Sequence, residues 1–352
     1  MKKADDMNVG KNSDLNSDLN SDRKKLAVII LNWNGRSLLE QFLPAAVKHT
    51  ISPDADLWVA DNGSTDDSVE FVRTHFPAVK ILELGQNYGF AEGYNIAIRT
   101  TDYPFTLLLN SDVEVTEGWT RPLVKLLEER PEVGAVMPKI LSYRQKNMFE
   151  YAGAAGGYID RLGYPYCRGR VFDSVEEDRG QYDGAPIEVA WATGAAMCVR
   201  TEVYLRLGGL DADFFAHMEE IDLCCRMIGA GYKVMADMSS TVYHVGGASL
   251  PKGNPKKTYL NFRNNLLLLH KNLPRKRGRK VLFLRRLADT LAFGMFLLKG
   301  QWGDAKAILR AHSDFRKMRR KYTDLPKEDY MSTLPGADRY IVADHYLKGR
   351  SK

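Results

Sequence analysis

Leu26-Ala27-Val28-Ile29-Ile30-Leu31, followed at once by Asn32-Trp33-Asn34-Gly35, is the stretch on which the fold turns. An unbroken run of β-branched and aliphatic side chains suits a strand covered on both faces, and such strands belong to parallel sheets flanked by helices. Working outward, three similar runs follow. Asp56-Leu57-Trp58-Val59-Ala60 ends in Asp61-Asn62-Gly63-Ser64-Thr65-Asp66, Val79-Lys80-Ile81-Leu82 leads to Asn87 through Asn95, and Leu107-Leu108-Leu109 ends in Asn110-Ser111-Asp112. Helical spacing lies between them, through Leu38, Leu39, Phe42 and Leu43, through Val69, Phe71 and Val72, and up to about Thr100. Ser64 and Asp67 stand three apart and predict a capping-box-like start for the second helix. Strands alternating with helices at this rhythm mean βαβ units and right-handed crossovers.

All four strands end in Asn, Asp or Gly. The ligand crevice of an open α/β sheet lies at these carboxyl ends. Asn110 and Asp112, two apart, share one face, which suits a hard divalent cation that fills its other positions with phosphate oxygens and water. No G-x-G-x-x-G follows the first strand, which weighs against a Rossmann-type oxidoreductase and leaves that class as an alternative. A second cluster, Phe214 to Arg226, places Glu219, Glu220 and Asp222 at the start of a helix, whose positive end stabilises carboxylates. Like charges packed together raise at least one pKa, which makes a carboxylate a usable base. His217 lacks a second ligand at H-E-x-x-H spacing, which speaks against zinc.

With 352 residues, 44% hydrophobic and 27% charged, the chain is globular and can bury one large core or two modest ones. The net charge of +6 conceals a local field: Lys252 to Lys321 holds 20 Lys and Arg against 3 acids. Apolar stretches such as Val281-Leu282-Phe283-Leu284 and Leu291 to Leu298 interleave with them. A basic amphipathic segment of this type predicts peripheral contact with an anionic membrane. Nucleic acid is the other candidate for a basic patch, but no binding module accompanies it, so none is expected as a partner. The four cysteines show no metal-ligand spacing and read as reduced thiols. With no apolar leader and no eighteen-residue apolar run, the expectation is a cytoplasmic protein on the inner face of the cytoplasmic membrane. Residues up to about Lys25 repeat Asn-Ser-Asp-Leu at 12–15 and 16–19 and read as a disordered tail without chemistry.

Val28 to Gly35, the Asp61-Asn62-Gly63-Ser64 turn, Asn87-x-Gly89-Phe90-Ala91-x-Gly93-x-Asn95 and Asn110-Ser111-Asp112 together resemble the nucleotide-sugar half of family 2 glycosyltransferases of the GT-A fold. The chain is most similar to the rhamnosyltransferase-like branch that builds bacterial surface polysaccharides, and the likeness runs over roughly residues 26–270. It implies an α/β GT-A fold, Rossmann-like, with a mostly parallel central sheet flanked by helices and a basic helical C-terminal extension. The divisions would be a tail at 1–25, a nucleotide-sugar half at 26–125, an acceptor-binding and catalytic half at 126–250, and a basic, largely helical extension at 251–352.

The activity implied is inverting transfer of a sugar from a nucleoside diphosphate donor, with dTDP-rhamnose the first to consider, to a hydroxyl of a lipid-linked or polysaccharide acceptor, with Mg²⁺ or Mn²⁺ as cofactor. Asn32, Asn34 and Asp61 would hold the nucleotide, with Asp61 accepting from the pyrimidine imide. Asn87, Gly89, Gly93 and Asn95 would line the nucleotide and diphosphate, where glycines allow close backbone approach. Asn110 replaces the first acid of the family's D-x-D motif, and Asp112 is the expected metal ligand. His244 matches a family histidine near the diphosphate and metal, and the glycines after it with Ser249 suggest a phosphate-facing loop. Arg263 would neutralise leaving-group charge.

Glu220 takes the place of the family's base in a Glu-Asp-x-Asp motif. Because Glu is one methylene longer than Asp, Glu219 remains a rival, and Asp222 is a third candidate, either structural or in contact with the acceptor. Trp191 is a platform for a sugar ring or simply core, with Thr193 and Gly194 beside it on the acceptor side. The Gly- and Tyr-rich stretch from Tyr151 to Arg170 reads as a hairpin and loop facing the acceptor. A protein that holds a nucleotide-sugar without transferring it is the non-enzymatic alternative.

Overall fold

The computed structural model describes residues 24–151, 153–246 and 254–348. The repeat-bearing tail and Ser249 lie outside them. Strand β1 (Leu26–Asn32) is buried at every position but Leu31, as its unbroken apolar run requires. Helix α1 (Arg36–Thr50) leads to β2 (Ala55–Asp61), α2 (Ser68–His75) to β3 (Lys80–Glu83), and α3 (Gly89–Thr100) to β4 (Phe105–Leu109). These strands are parallel, in the order β3-β2-β1-β4, and Asn32 pairs with Asp61 across the register. The four expected strands are therefore present, each within a residue or two of its predicted limits, and a helix stands at each of the three connections.

The capping expectation is corrected. Ser64 is drawn into the neighbouring turn, where its hydroxyl accepts from the Asn34 N–H at 2.9 Å and its own N–H donates to Asp61 Oδ2 at 2.9 Å. Helix α2 instead begins at Ser68, whose N–H donates to Asp66 Oδ1 at 3.1 Å.

The far half of the sheet is mixed. After β4 come β5 (Val113–Val115), α4 (Thr120–Glu129) and β6 (Val133–Ser142). The Tyr- and Gly-rich stretch makes a separate antiparallel sheet of very short strands, β7 (Gly157–Ile159), β8 (Pro165–Cys167), β9 (Arg170–Val171) and β10 (Ser174–Val175). The chain then returns to the main sheet through β11 (Ile187–Glu188) and β12 (Ala196–Arg200), and passes α5 (Thr201–Arg206) and α6 (Glu219–Gly229) before β13 (Lys233–His244). Strand β12 lies antiparallel between β4 and β6, while β13 runs parallel to β6 and pairs antiparallel with β5. That last pairing sets His244 opposite Val113, one residue from Asp112.

The C-terminal region is helical, with α7 (Pro255–Asn272), α8 (Arg275–Leu298), α9 (Trp302–Met318) and α10 (Ile341–Lys348). Asn254 caps α7 by accepting from the Lys256 N–H at 2.9 Å, and Pro255 occupies the first turn, where a missing N–H does no harm. Leu266 to Leu269 of α7 are buried in the core. Among the described residues no helix is long and apolar enough to cross a membrane.

Two of the expected donor-binding residues hold this fold together instead. Asn95 is buried, with its amide donating to Leu210 O at 2.8 Å and to Glu92 Oε2 at 3.0 Å. Its carbonyl accepts from Tyr204 Oη at 2.7 Å and from the Leu210 N–H at 2.9 Å. A Cβ on Gly93 would stand 2.9 Å from Leu31 Cδ1, so its glycine serves close helix–strand packing rather than approach to a ligand. Neither group is left to face a donor. Asn95→Ala leaves the buried carbonyl of Leu210 without its side-chain partner and its N–H with only the 3.4 Å contact to Tyr204 Oη, and is expected to lower stability by roughly 2–4 kcal/mol, read as a drop in the urea midpoint at unchanged slope.

Candidate functional site

A cavity of about 470 Å³ opens where the end of β4, the end of β13 and the start of α6 converge. That is a size suited to a small-molecule ligand. The first wall is carried by Asn110 and Asp112. The Asn110 N–H donates to Ala195 O at 2.9 Å, and Asp112 O accepts from the Val245 N–H at 3.1 Å, so backbone bonds to both neighbouring strands fix the turn. His244 Nε2 stands 3.1 Å from Asp112 Oδ1, and its Nδ1 stands 3.1 Å from Glu150 Oε2. Burial alone would discharge this imidazole, yet hydrogen bonds and charge from the two carboxylates outweigh it and raise its pKa to about 9.

The facing wall is carried by Glu219 and Glu220, the first two residues of α6. The loop that delivers them holds Phe215, His217 and Met218 at φ of 66°, 69° and 74°, left-handed backbone that costs about 1–3 kcal/mol per residue and persists only under constraint. The constraint comes from α7. The Asn264 amide faces the carbonyls of Phe214, Ala216 and His217 at 2.9, 2.8 and 2.7 Å, and Arg263 donates to Phe214 O at 2.6 Å. Burial pushes the Glu220 carboxyl up to about 7. Burial, with the neighbouring Glu220 charge added, raises Glu219 well above the ordinary carboxylate range. One oxygen of each is buried without a hydrogen-bond partner among the described residues. His217 is held down at about 4 by burial and the charge of Lys257, so it is neutral.

Trp191, Thr193 and Gly194 also line the cavity. Trp191 donates to Tyr158 O at 2.9 Å, and a Cβ on Gly194 would lie 3.5 Å from the Phe90 ring and 3.7 Å from Glu220 Cβ. The Gly- and Tyr-rich stretch adds Tyr151, Tyr164, Tyr166 and Arg170 to the lining, none of which the sequence pattern singled out by itself. Arg285 of α8 was missed as well. It is buried, stacks 3.6 Å from the Tyr164 ring centre, bonds Asn265, and keeps its Nε–H without a partner. Nothing in a run of basic residues marks one of them as the inward one.

Asn32, Asn34, Asp61, Asn87 and Gly89 do not line this cavity but knit together the neighbouring turns at the ends of β1, β2 and β3. Asn32 Nδ2 donates to Asp61 Oδ1 at 2.9 Å, Asn34 Oδ1 accepts from the Thr65 N–H at 2.7 Å, and Asn87 Oδ1 accepts from the Gly89 N–H at 2.8 Å. Two further expectations are corrected. Arg263 turns one guanidinium nitrogen to the Asp213 and Phe214 carbonyls of the strained loop and its Nε to Asn264 Oδ1, and Asp222 turns away from the cavity. Fully buried, Asp222 accepts from Arg226 Nε at 2.8 Å, Lys271 Nζ at 2.9 Å and Asn272 Nδ2 at 2.9 Å. A buried carboxylate this well paired is structural. The four cysteines are free and buried.

Residues 27–167 match the family model of Glycosyl transferase family 2. Among curated proteins, the chain is 27% identical over 237 residues to the N-acetylglucosaminyl-diphospho-decaprenol L-rhamnosyltransferase of Mycobacterium tuberculosis, covering 62% of this chain and 75% of the relative. Among solved structures, GalNAc-T7 with UDP, GalNAc and Mn²⁺ superposes with a TM-score of 0.62 at 16% identity, over 93% of this chain and 59% of that one. The mannosyltransferase PcManGT from Pyrobaculum calidifontis, in complex with GDP-Man and Mn²⁺, superposes at 0.50 with 15% identity, covering 94% and 89%. These superpositions show the GT-A fold, mostly parallel in its central sheet and flanked by helices.

Because the folded protein holds a proton on Glu220 to higher pH than the unfolded chain does, its ionisation removes stability as pH rises from the ordinary carboxylate range through about 7. Glu220→Gln is therefore expected to raise stability at pH 8 by on the order of 1–3 kcal/mol and to leave it unchanged below about pH 4, read from paired thermal melts.

Proposed function

We propose that this chain is a glycosyltransferase of the family 2 type that transfers a sugar from a nucleoside diphosphate donor to an acceptor hydroxyl with inversion, using Glu220 as the base. The observation that carries this reading is the meeting, in one cavity, of a raised carboxyl pair with unpartnered oxygens and the Asp112–His244 pair across from it. A carboxylate with a pKa near 7 is matched to proton abstraction at neutral pH. Glu220 takes the hydroxyl proton, the hydroxyl oxygen bonds to the anomeric carbon, and the bond to the diphosphate oxygen breaks with its electrons leaving on the diphosphate. No covalent intermediate is needed, and a second flanking carboxylate of the glycosidase type has no role. Glu219, raised well above the ordinary carboxylate range by burial and by the charge of its neighbour, disfavours a second charge on the pair.

Asp112 Oδ1 is a hard oxygen of the kind that suits Mg²⁺ or Mn²⁺, and His244 Nε2, 3.1 Å from it, would have to release its proton to join it as a ligand. Among the described residues no group of three His, Cys, Asp or Glu is gathered for a metal, so the diphosphate and water would complete the shell. When bound, the ion supplies positive charge to offset that of the departing diphosphate. The knitted turns around Asn32, Asn34, Asp61, Asn87 and Gly89 support a nucleotide site beside the cavity. Asp61 there reads as the organiser of its turn, since both its oxygens already accept bonds from Asn32 and Ser64.

The tyrosines, Trp191, Arg170 and Arg285 suit an acceptor with a sugar ring and an anionic linker. The Mycobacterium tuberculosis relative, named for rhamnose transfer to a diphospho-decaprenol-linked sugar, supports L-rhamnose as the first donor sugar to test and a lipid-linked acceptor. Holding a nucleotide-sugar without transferring it is the rival reading, and one experiment separates the two. A thermal-shift panel of nucleoside diphosphates and their sugars, with Mg²⁺ or Mn²⁺ and with chelator, is expected to show metal-dependent stabilisation that Asp112→Ala abolishes. Glu220→Gln should keep that stabilisation and lose roughly 10²–10⁴-fold in donor turnover, while the wild-type rate climbs with pH through about 7. Unchanged turnover in Glu220→Gln would remove the assigned base.

A further inference from the structure

We propose that the outer face of α8 lies on the surface of an anionic lipid bilayer. Leu284, Leu287, Leu291, Met295 and Leu298 recur at steps of three and four residues, so they form one stripe along the helix. They are 38, 51, 77, 47 and 92% exposed, and Trp302 at the start of α9 adds another apolar surface at 63%. Single exposed leucines are ordinary, but a continuous stripe of this length marks a surface that something covers. The buried positions of α8, Gly278, Val281, Arg285 and Asp289, follow a different line along the same helix.

Charge decides what the cover is. Arg275, Lys276, Arg279 and Lys280 are exposed before the stripe, Arg286 along it and Lys299 after it. The one acid between Arg275 and Lys299 is Asp289, which is buried. An apolar band with cations at both ends and a tryptophan near its margin matches the layered chemistry of a bilayer, where acyl chains take the leucines and anionic headgroups take the lysines and arginines. A protein partner would need an acidic, apolar groove to do the same. No described helix is apolar enough to span, so α8 lies along the surface rather than through it.

The same helix sends Arg285 into the cavity wall, so the cavity and the stripe are separated by about one helix diameter, roughly 10 Å. A lipid-linked acceptor would then reach the site without leaving the bilayer far behind; this second step rests on the reading of the cavity given above, while the docking surface does not.

Co-sedimentation of the full chain with phosphatidylcholine vesicles, with and without phosphatidylglycerol, tests the surface. Wild type is expected to follow the anionic vesicles. Leu287→Glu/Leu291→Glu and Lys276→Glu/Lys280→Glu should each partition at least about tenfold more weakly, since each exposed cation near an anionic surface contributes roughly fivefold. Equal partitioning of wild type and the leucine variant overturns the proposal, as does a wild type that stays in the supernatant with both lipids. So would light scattering that shows a lipid-free dimer broken by the leucine substitutions, which would assign the stripe to a second copy. Nucleoside diphosphate thermal shifts run in parallel separate the two readings. Vesicle binding without a nucleotide shift keeps the surface and removes the donor site, and the reverse pattern removes the surface alone.

Discussion

The contact on which the site depends is His244 held between Asp112 and Glu150, because it ties together three pieces of chain that are far apart in sequence. Asp112 belongs to the turn after β4, Glu150 to the segment after β6, and His244 to the end of β13. Each carboxylate is nearly out of reach of water and would be costly to bury alone. The imidazole makes both burials possible. It also ties the end of the parallel half of the sheet to the mixed half, so one ion chain sets the shape of that wall of the cavity.

The opposite wall is held by a different device. Glu219 and Glu220 sit at a helix N-terminus that favours their charge, yet burial wins and raises both. Placing them there takes a loop with three left-handed residues, none of them glycine, and the sides of Arg263 and Asn264 that face this loop are given over to its carbonyls. Helix α7 is thus part of the site's construction. The loop, its clamp and the Asp222 network with Arg226, Lys271 and Asn272 anchor α6 at its first two turns, which keeps the raised pair aimed inward.

Much of this was legible in the sequence, and what was not has a physical reason. Strands β1 to β4 announce themselves because each is apolar along its length and ends abruptly in turn formers. The polar clusters at Asn110–Asp112 and Glu219–Asp222 were visible because polar side chains crowd the end of an apolar run or the start of a helix. Side-chain direction was not visible. Asn95, Arg263 and Asp222 carry groups a ligand site would use, but partners at Leu210, Phe214 and Lys271, which no local pattern reveals, claim them first. The short-stranded sheet was legible only as a hairpin and loop, because strands of two or three residues are too brief for a period of two to register. Arg285 faces inward only because α8 packs one line of its surface on α7, and a uniformly basic helix hides which line that is.

The departure at Asn110 follows from the same charge accounting. Its amide lies 3.5 Å from His244 Nε2, on the side of the ring that Asp112 occupies. An aspartate there would gather three carboxylates around one imidazole, with Glu219 and Glu220 lining the same cavity, and the added burial of charge would raise a pKa or open the turn. The neutral amide keeps the protein's own charges balanced when no ligand is present. On the reading proposed here, it also leaves Asp112 as the single anionic ligand of the motif. A divalent ion would then be held firmly only together with a diphosphate, and metal and donor would arrive as one unit.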